Sequence, residues 1–192
     1  MSGFEKQSWN YNLLCEIVPI RDMVKTQLFG LGGNYHSSSL LCFIVDLPPG
    51  FALQLLETQK DSESHYIVIT LNKCLEYCEM LELQGASVVI SGMLAEKDLV
   101  EALNLLSCRQ VTRDRRESSL TPTEIRFLYL ISKGLTNQQI EQICSTTPQY
   151  IRNATSRILS KLQITHRSEA ILYFWGHLSN YNSNPDELDE DI

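Results

Sequence analysis

An α/β domain followed by a small all-α domain of four short helices is the fold class that this 192-residue sequence predicts. Three observations carry it. Over the first hundred residues, apolar runs rich in β-branched side chains alternate with helical patterns, as in a layered α/β fold. Between Leu120 and Trp175, four helical patterns follow one another closely, with a start signal before each. Between these regions, Arg109 to Ser119 (RQVTRDRRESS) is polar, charged and free of apolar periodicity. The predicted organisation is therefore an α/β domain at 1–108, an exposed linker at 109–119, a helical domain at 120–178 and an acidic tail at 179–192. The tail has too little apolar content to fold.

In the first domain the strand candidates are Leu13 to Pro19, Leu40 to Leu47, Tyr66 to Thr70 and Ser87 to Ser91. The helical candidates between them are Arg21 to Phe29, Phe51 to Thr58, Asn72 to Leu83 and Glu96 to Leu106. Phe4, Trp9, Tyr11 and Phe29 fit an interface or a core equally well.

The second domain is more explicit. Thr121 is placed to cap its first helix, with Pro122 at the first helical position and Glu124 at the third, so hydroxyl and carboxylate can satisfy orphan amides reciprocally. Ile125, Leu128 and Ile131 form the inward stripe, and Lys133-Gly134 closes the helix. Thr136 and Gln139 repeat the capping pattern for a second helix, with Ile140 and Ile143 inward. Thr147 and Pro148 start the third. Its inward residues Ile151, Ala154, Ile158 and Leu162 place Arg152, Asn153 and Ser156 together on the wet face, and a guanidinium, an amide and a hydroxyl are groups that read base edges in a major groove. The fourth helix, Arg167 to Leu178, offers Ala170, Ile171, Phe174, Trp175 and Leu178 as an apolar face for pairing or for covering the domain's own core.

Charge is distributed unevenly. The chain carries −7 overall, yet residues 112–178 hold nine Lys/Arg against five Asp/Glu, residues 1–111 hold seven against thirteen, and the tail holds five acids and no base. A basic module between acidic flanks can neutralise phosphates locally while the flanks discourage indiscriminate binding. Arg113, Arg115 and Arg116 of the linker are solvated, or contact DNA backbone. No apolar run is long enough to span a membrane and no signal-peptide pattern opens the chain, so a cytoplasmic location is expected. Six cysteines, Cys15, Cys42, Cys74, Cys78, Cys108 and Cys144, sit mostly in apolar runs. They read as core thiols, with a redox or metal sensor at Cys74 and Cys78 as the alternative. Neither a nucleophile–base pair nor a phosphate-cradling glycine loop is present, so no enzymatic function, metal or cofactor is expected. The four histidines, His36, His65, His166 and His177, are scattered.

Residues 120–175 resemble the LuxR/NarL (FixJ-type) helix-turn-helix family. The matching positions are Leu120-Thr121, Glu124, Gly134-Leu135, Ile140, Ile151, Ile158, Lys161-Leu162, Arg167 and Ala170, in register without a gap. The resemblance implies a bacterial, sequence-specific DNA-binding transcription regulator whose recognition helix runs from Pro148 to Leu162. Implied DNA contacts are Thr136, Asn137, Thr147, Gln149, Arg152, Asn153, Ser156, Arg157 and Lys161, the last two nearer the backbone. Thr147 and the helix N-terminus would hold a phosphate oxygen. Pairing through the last helix implies a homodimer on double-stranded DNA, or a heterodimer with another regulator. Three positions depart from the family: Glu141 and Ala154 replace a small Ala and a His, and Cys144 replaces Leu. Glu141 either tilts its helix or turns its carboxylate outward.

The first domain resembles a receiver, a domain that commonly precedes this helix-turn-helix. Its chemistry is incomplete. Asp46 and Thr70 match the phosphoacceptor and its Thr/Ser partner, but Ile17-Val18-Pro19 stands where the Mg²⁺-binding acidic pair belongs, with Glu16 and Asp22 off register. Gly92 replaces the lysine, and Lys97 lies too far into the next helix. One strand–helix unit is expected to be lost or much altered between the first strand and Asp46. The N-terminal domain therefore reads as a degenerate, truncated, receiver-like parallel sheet, with Asp46 more fitted to capping a turn than to accepting phosphate. The regulator it implies works without aspartyl phosphorylation. Alternatives are a conventional phosphorylated response regulator and an auxiliary subunit that pairs with another regulator.

Overall fold

A computed structural model describes residues 8–59, 63–92, 94–108 and 118–178, without the side chains of 107 and 108. Phe4, the side chain of Cys108, most of the expected linker with its three arginines, and the acidic tail lie outside the described residues. The chain divides into two compact units: Met1–Asn72 with Leu81–Arg115, and Lys73–Met80 with Arg116–Ile192.

The first unit is built on β1 (Trp9–Leu14), α1 (Val18–Gly30), β2 (Gly33–Tyr35), β3 (Leu41–Val45), α2 (Phe51–Thr58), β4 (His65–Thr70), α3 (Leu75–Leu83), β5 (Ala86–Ser91) and α4 (Glu96–Cys108). Its five strands are parallel, in the order β2-β1-β3-β4-β5. Alternation along the central strands buries both faces. Phe43, Val45, Ile67, Ile69, Val88 and Ile90 point to one side and meet Val24 and Leu28 of α1 and Leu99 and Ala102 of α4. Cys42, Ile44, Val68 and Val89 occupy the other side and are equally buried, as are Ala52, Leu53 and Leu56 of α2. Continuous apolar runs are what a parallel sheet covered on both faces requires.

β1 begins four residues before the strand read from sequence, at Trp9, and stops at Leu14. Asn10 and Asn12 hid it by interrupting the apolar run. Tyr11 and Leu13 are core, Trp9 packs at its edge, and Phe29 is exposed, at 73%. The strand–helix unit expected to be lost or much altered is present in altered form: its strand is kept and its helix is missing. β2 survives as three residues paired with Trp9–Tyr11, while β3 pairs with Asn12–Leu14 on the other flank of β1. This stagger explains how His36–Leu40 can join two parallel strands without a helix. β3 starts at the level where β2 stops, so the chain needs only to cross β1, about 9.6 Å of lateral travel, well within the roughly 16–18 Å reach of five residues. The crossing is pinned to β1: His36 N donates to Tyr11 O at 2.7 Å and Ser39 Oγ to Asn10 O at 2.9 Å. With no helix over this corner, Asn10 is exposed and Asn12 half-buried. At Gly33 the Trp9 indole lies so close that a Cβ would meet Cη2 at 2.8 Å, so any larger residue there would have to displace the ring.

The second unit contains α5 (Pro122–Ser132), α6 (Asn137–Cys144), α7 (Pro148–Lys161) and α8 (Arg167–Phe174), together with Lys73–Met80. The first turns of α3 thus belong with the helical unit, and the chemistry of α3 explains it. Tyr77 is fully buried, with its ring centroid 5.3 Å from Phe174 and 5.8 Å from Trp175. Glu76, also buried, accepts from Tyr173 Oη at 2.7 Å and from Ser118 Oγ at 2.7 Å. Ser118 N donates to Glu79 at 2.8 Å, which orders a residue expected to be linker. Burial beside Cys74 and Glu76 pushes the Tyr173 phenol far above its ordinary value, so it remains a donor.

Capping follows the sequence closely. Thr121 and Glu124 form a capping box on α5, and Thr136 and Gln139 form another on α6. Thr147 accepts from Tyr150 N at α7. On α8, the Glu169 carboxylate accepts from His166 N and Thr165 N. The expected end of the last helix at Leu178 is corrected to Phe174, because Gly176 takes φ +77° and breaks the helical path. Ile125, Leu128, Ile131, Ile140, Ile151, Ala154, Ile158 and Leu162 are all buried as read. Ile143 is not: it is 59% exposed. α6 is eight residues long and packs chiefly on α7, so its last turn, with Ile143 and Cys144, extends into solvent before Ser145 reverses the chain in the left-handed region.

Candidate nucleic-acid interface

α7 carries the candidate interface. Its buried stripe holds the helix against α5 and α6, which leaves Gln149, Arg152, Asn153, Ser156 and Arg157 exposed. Ala154, where a larger side chain was expected by resemblance, is 1% exposed and lets α7 seat closely. In the first helical turn Pro148 has no N–H to donate, and Tyr150 N is taken by the Thr147 hydroxyl. Gln149, Arg152 and Asn153 are linked along the surface: Arg152 Nη2 donates to Gln149 Oε1 at 2.9 Å, and Gln149 Nε2 donates to Asn153 Oδ1 at 2.9 Å. Arg157 lies 5.9 Å from the Tyr150 ring centroid, and that ring packs 5.9 Å from Phe127. The face as a whole presents cationic and polar donors from one rigid helix, a chemistry suited to base edges and phosphates.

Other expected contacts are drawn into the fold. Lys161 Nζ bonds Glu124 Oε2 at 2.7 Å, tying the C-terminal end of α7 to the N-terminal end of α5. Burial opposes ionisation of Glu124, but the hydrogen bonds from Lys161 and Thr121 outweigh it and hold the carboxyl below its ordinary value. Asn137 accepts from Arg167 Nη1 at 3.1 Å, and the same guanidinium bonds Leu135 O, so Arg167 fastens α8 to the start of α6. The Thr136 hydroxyl is occupied in its capping box. All three of these expected contacts thus also have partners within the fold. Lys161 and Asn137 each join two helices through a charged partner. Glu141 is half-buried while Cys144 is exposed. Of the expected pairing face, Ala170 and Phe174 are fully buried, so this arrangement does not present them to a second copy. Ile171, Trp175 and Leu178 are half-buried, and Trp175 Nε1 donates to Ser132 O at 3.1 Å. Leu172, which the sequence reading passed over, is 44% exposed.

Asp46 follows β3 and is 1% exposed. Its Oδ1 accepts from Gly50 N at 3.1 Å and Ala52 N at 2.9 Å, and its Oδ2 accepts from Thr70 Oγ1 at 2.8 Å. Gly50, at the N-terminus of α2, has no side chain to cap the helix, and the Asp46 carboxylate supplies the missing acceptor. Thr70 completes the bracket, its hydroxyl accepting from Asn72 N at 3.2 Å. Gly92, where a lysine would be needed, has φ +97° and donates its amide to Thr70 O. Glu16 is exposed. Among the described residues no cluster of His, Cys, Asp or Glu is placed to hold a metal ion. Cys15, Cys42 and Cys78 are buried, Cys74 is half-buried and Cys144 exposed, all as free thiols.

Residues 118–174 match the model of the luxR family of bacterial regulatory proteins. The response regulator protein VraR of Staphylococcus saprophyticus is 34% identical over 83 residues, covering 42% of this chain and 40% of that protein. The VraR of Staphylococcus aureus is 34% identical over 77 residues, covering 40% of this chain and 37% of its own length. The matches thus span about two fifths of the curated relatives. Among solved structures, the two-component response regulator RcsB in complex with DNA superposes with a TM-score of 0.55 at 14% identity, covering 90% of this chain and 100% of that one. RcsB from Salmonella enterica serovar Typhimurium, bound to promoter rprA in the presence of phosphomimetic BeF3−, gives 0.56 at 14% identity, covering 88% and 98%. Similarity at that identity is one of fold: a five-stranded parallel sheet with helices, followed by a helical unit. Among the described residues, no helix is long and apolar enough to cross a membrane.

Proposed function

We propose that this chain, whose residues 118–174 form a helix-turn-helix domain of the luxR family of bacterial regulatory proteins, is a sequence-specific DNA-binding transcription regulator that acts without aspartyl phosphorylation. The observation that carries the reading is the face of α7. Gln149, Arg152, Asn153 and Ser156 stand exposed on a helix whose opposite side is fully buried, within a basic segment of an otherwise acidic chain. In this reading α7 enters the major groove, Arg157 approaches the phosphate backbone, and Thr147 brings the helix N-terminus to a phosphate.

Control without phosphorylation is supported by the hydrogen bonds of Asp46. A phosphoacceptor must offer one carboxylate oxygen as nucleophile, and here both oxygens are engaged in a buried bracket with no lysine at Gly92. The likeness of Asp46 and Thr70 to an acceptor pair favours the conventional alternative, and one experiment separates the two. Treatment with a small phosphodonor and Mg²⁺ is expected to leave Asp46 unmodified and DNA affinity unchanged. An acid-labile adduct on Asp46, detected by mass spectrometry, would establish the conventional reading. Binding to DNA is expected to require two copies, through an α8 surface that includes Leu172. An auxiliary role would instead show as no binding by the protein alone. The location expected is cytoplasmic.

A further inference from the structure

The linked side chains at the start of α7 have a consequence for base preference, resting on the assignment of that helix to the major groove. Gln149, Arg152 and Asn153 stand at i, i+3 and i+4 on one exposed face, the spacing at which helical side chains meet. The two hydrogen bonds between them run in one direction, from Arg152 into the Gln149 oxygen and from the Gln149 nitrogen into the Asn153 oxygen. Each accepting oxygen of the set therefore already takes a hydrogen bond from a neighbour along the helix. The nitrogen groups that make no bond within the set are donors: the Nδ2 group of Asn153 and the remaining N–H groups of the Arg152 guanidinium.

A base edge must match that pattern. Recognition of adenine by an asparagine needs the amide to accept from N6 while it donates to N7, and Gln149 already takes one of the two lone pairs of the Asn153 oxygen, which restricts the approach of N6. Guanine presents O6 and N7, two acceptors side by side, and cytosine presents a donor. We propose that Gln149 is a positioning residue that makes Arg152 and Asn153 a donor-only reader, so that this face of α7 selects guanine and rejects adenine opposite Asn153.

The test is enrichment of duplexes from a randomised library by the full chain, as wild type, Asn153→Ala, Arg152→Ala and Gln149→Met. Methionine keeps the length and helix propensity of glutamine and removes both hydrogen bonds. The position read by Asn153 is the one whose preference disappears in Asn153→Ala. Wild type is expected to favour guanine over adenine there by about tenfold or more. Gln149→Met is expected to narrow that ratio to about threefold or less, while leaving the melting temperature unchanged, since it frees the asparagine oxygen to accept from N6. A wild-type preference for adenine at that position, or an unaltered ratio in Gln149→Met, would overturn the proposal. An enriched sequence that is the same in wild type, Arg152→Ala and Asn153→Ala would instead show that α7 is not the reading helix, and both the proposal and the functional assignment would fall.

Discussion

Replacing Asp46 by alanine tests whether this carboxylate is a structural cap. The substitution leaves Gly50 N, Ala52 N and Thr70 Oγ1 without their common acceptor, at a site where Asp46 is 1% exposed. Hydrogen bonds to a charged acceptor contribute about 1.5–3 kcal/mol each, and loss of a helix cap costs about 1 kcal/mol. Thr70 can rotate to another acceptor, so the two amides dominate. The expected destabilisation of the first unit is about 3–4 kcal/mol, a large share of the roughly 5–15 kcal/mol that holds a domain together. Asp46→Asn keeps an oxygen for the amides and should cost about 1 kcal/mol. The chain has two tryptophans, Trp9 in the first unit and Trp175 in the second, so urea unfolding followed by fluorescence in a Trp175→Phe background reports the first unit alone. A change of less than about 0.5 kcal/mol on Asp46→Ala, the range of ordinary surface substitutions, would refute the capping role. It would also remove the main physical reason for excluding phosphotransfer.

Three further outcomes are expected. Lys161→Met, which strands the Glu124 carboxylate, should lower stability of the second unit by about 1–2 kcal/mol, discounted for the partly exposed lysine. Because Glu124 ionises below its ordinary value when folded, the pair contributes fully above about pH 4.3 and is lost as pH falls through the depressed value; Lys161→Met should flatten that acid limb in pH-dependent unfolding. Ile140→Ala should cost about 2–5 kcal/mol in thermal or urea unfolding, whereas Ile143→Ser should stay within about 0.5 kcal/mol, since only the first is buried. Tyr173→Phe removes a donor from the buried Glu76 and should destabilise the second unit by about 1–3 kcal/mol in the same assay.

The helical unit was largely legible because its signals are local. Each capping threonine stands at a fixed offset from its partner, and the spacing of Ile151, Ala154, Ile158 and Leu162 fixes which side of α7 is wet. Ile143 misled because periodicity says which residues share a face, not where the supporting helices end. The packing partners of Lys161 and Asn137 were hidden for a related reason: Glu124 and Arg167 are 37 and 30 residues away, and no pattern within a helix announces a pairing at that range. The bonds of Gln149 with Arg152 and Asn153 were within reach, since i+3 and i+4 neighbours on an exposed face are read from spacing alone. In the sheet, the buried strands stood out as apolar runs, while β2 did not. A three-residue edge strand, Gly33-Asn34-Tyr35, has too few positions to show alternation. The stagger that lets it do without a crossover helix exists only in three dimensions.

The central claim is that α7 reads DNA sequence through Arg152 and Asn153. Its most direct measurement is the affinity of the full chain for a duplex enriched from genomic fragments and for a scrambled duplex, in wild type and in the Arg152→Ala/Asn153→Ala double variant. The double variant is expected to lose about 30-fold or more on the enriched duplex and less than about threefold on the scrambled one. Equal losses on both duplexes, or no loss on either, would contradict the assignment.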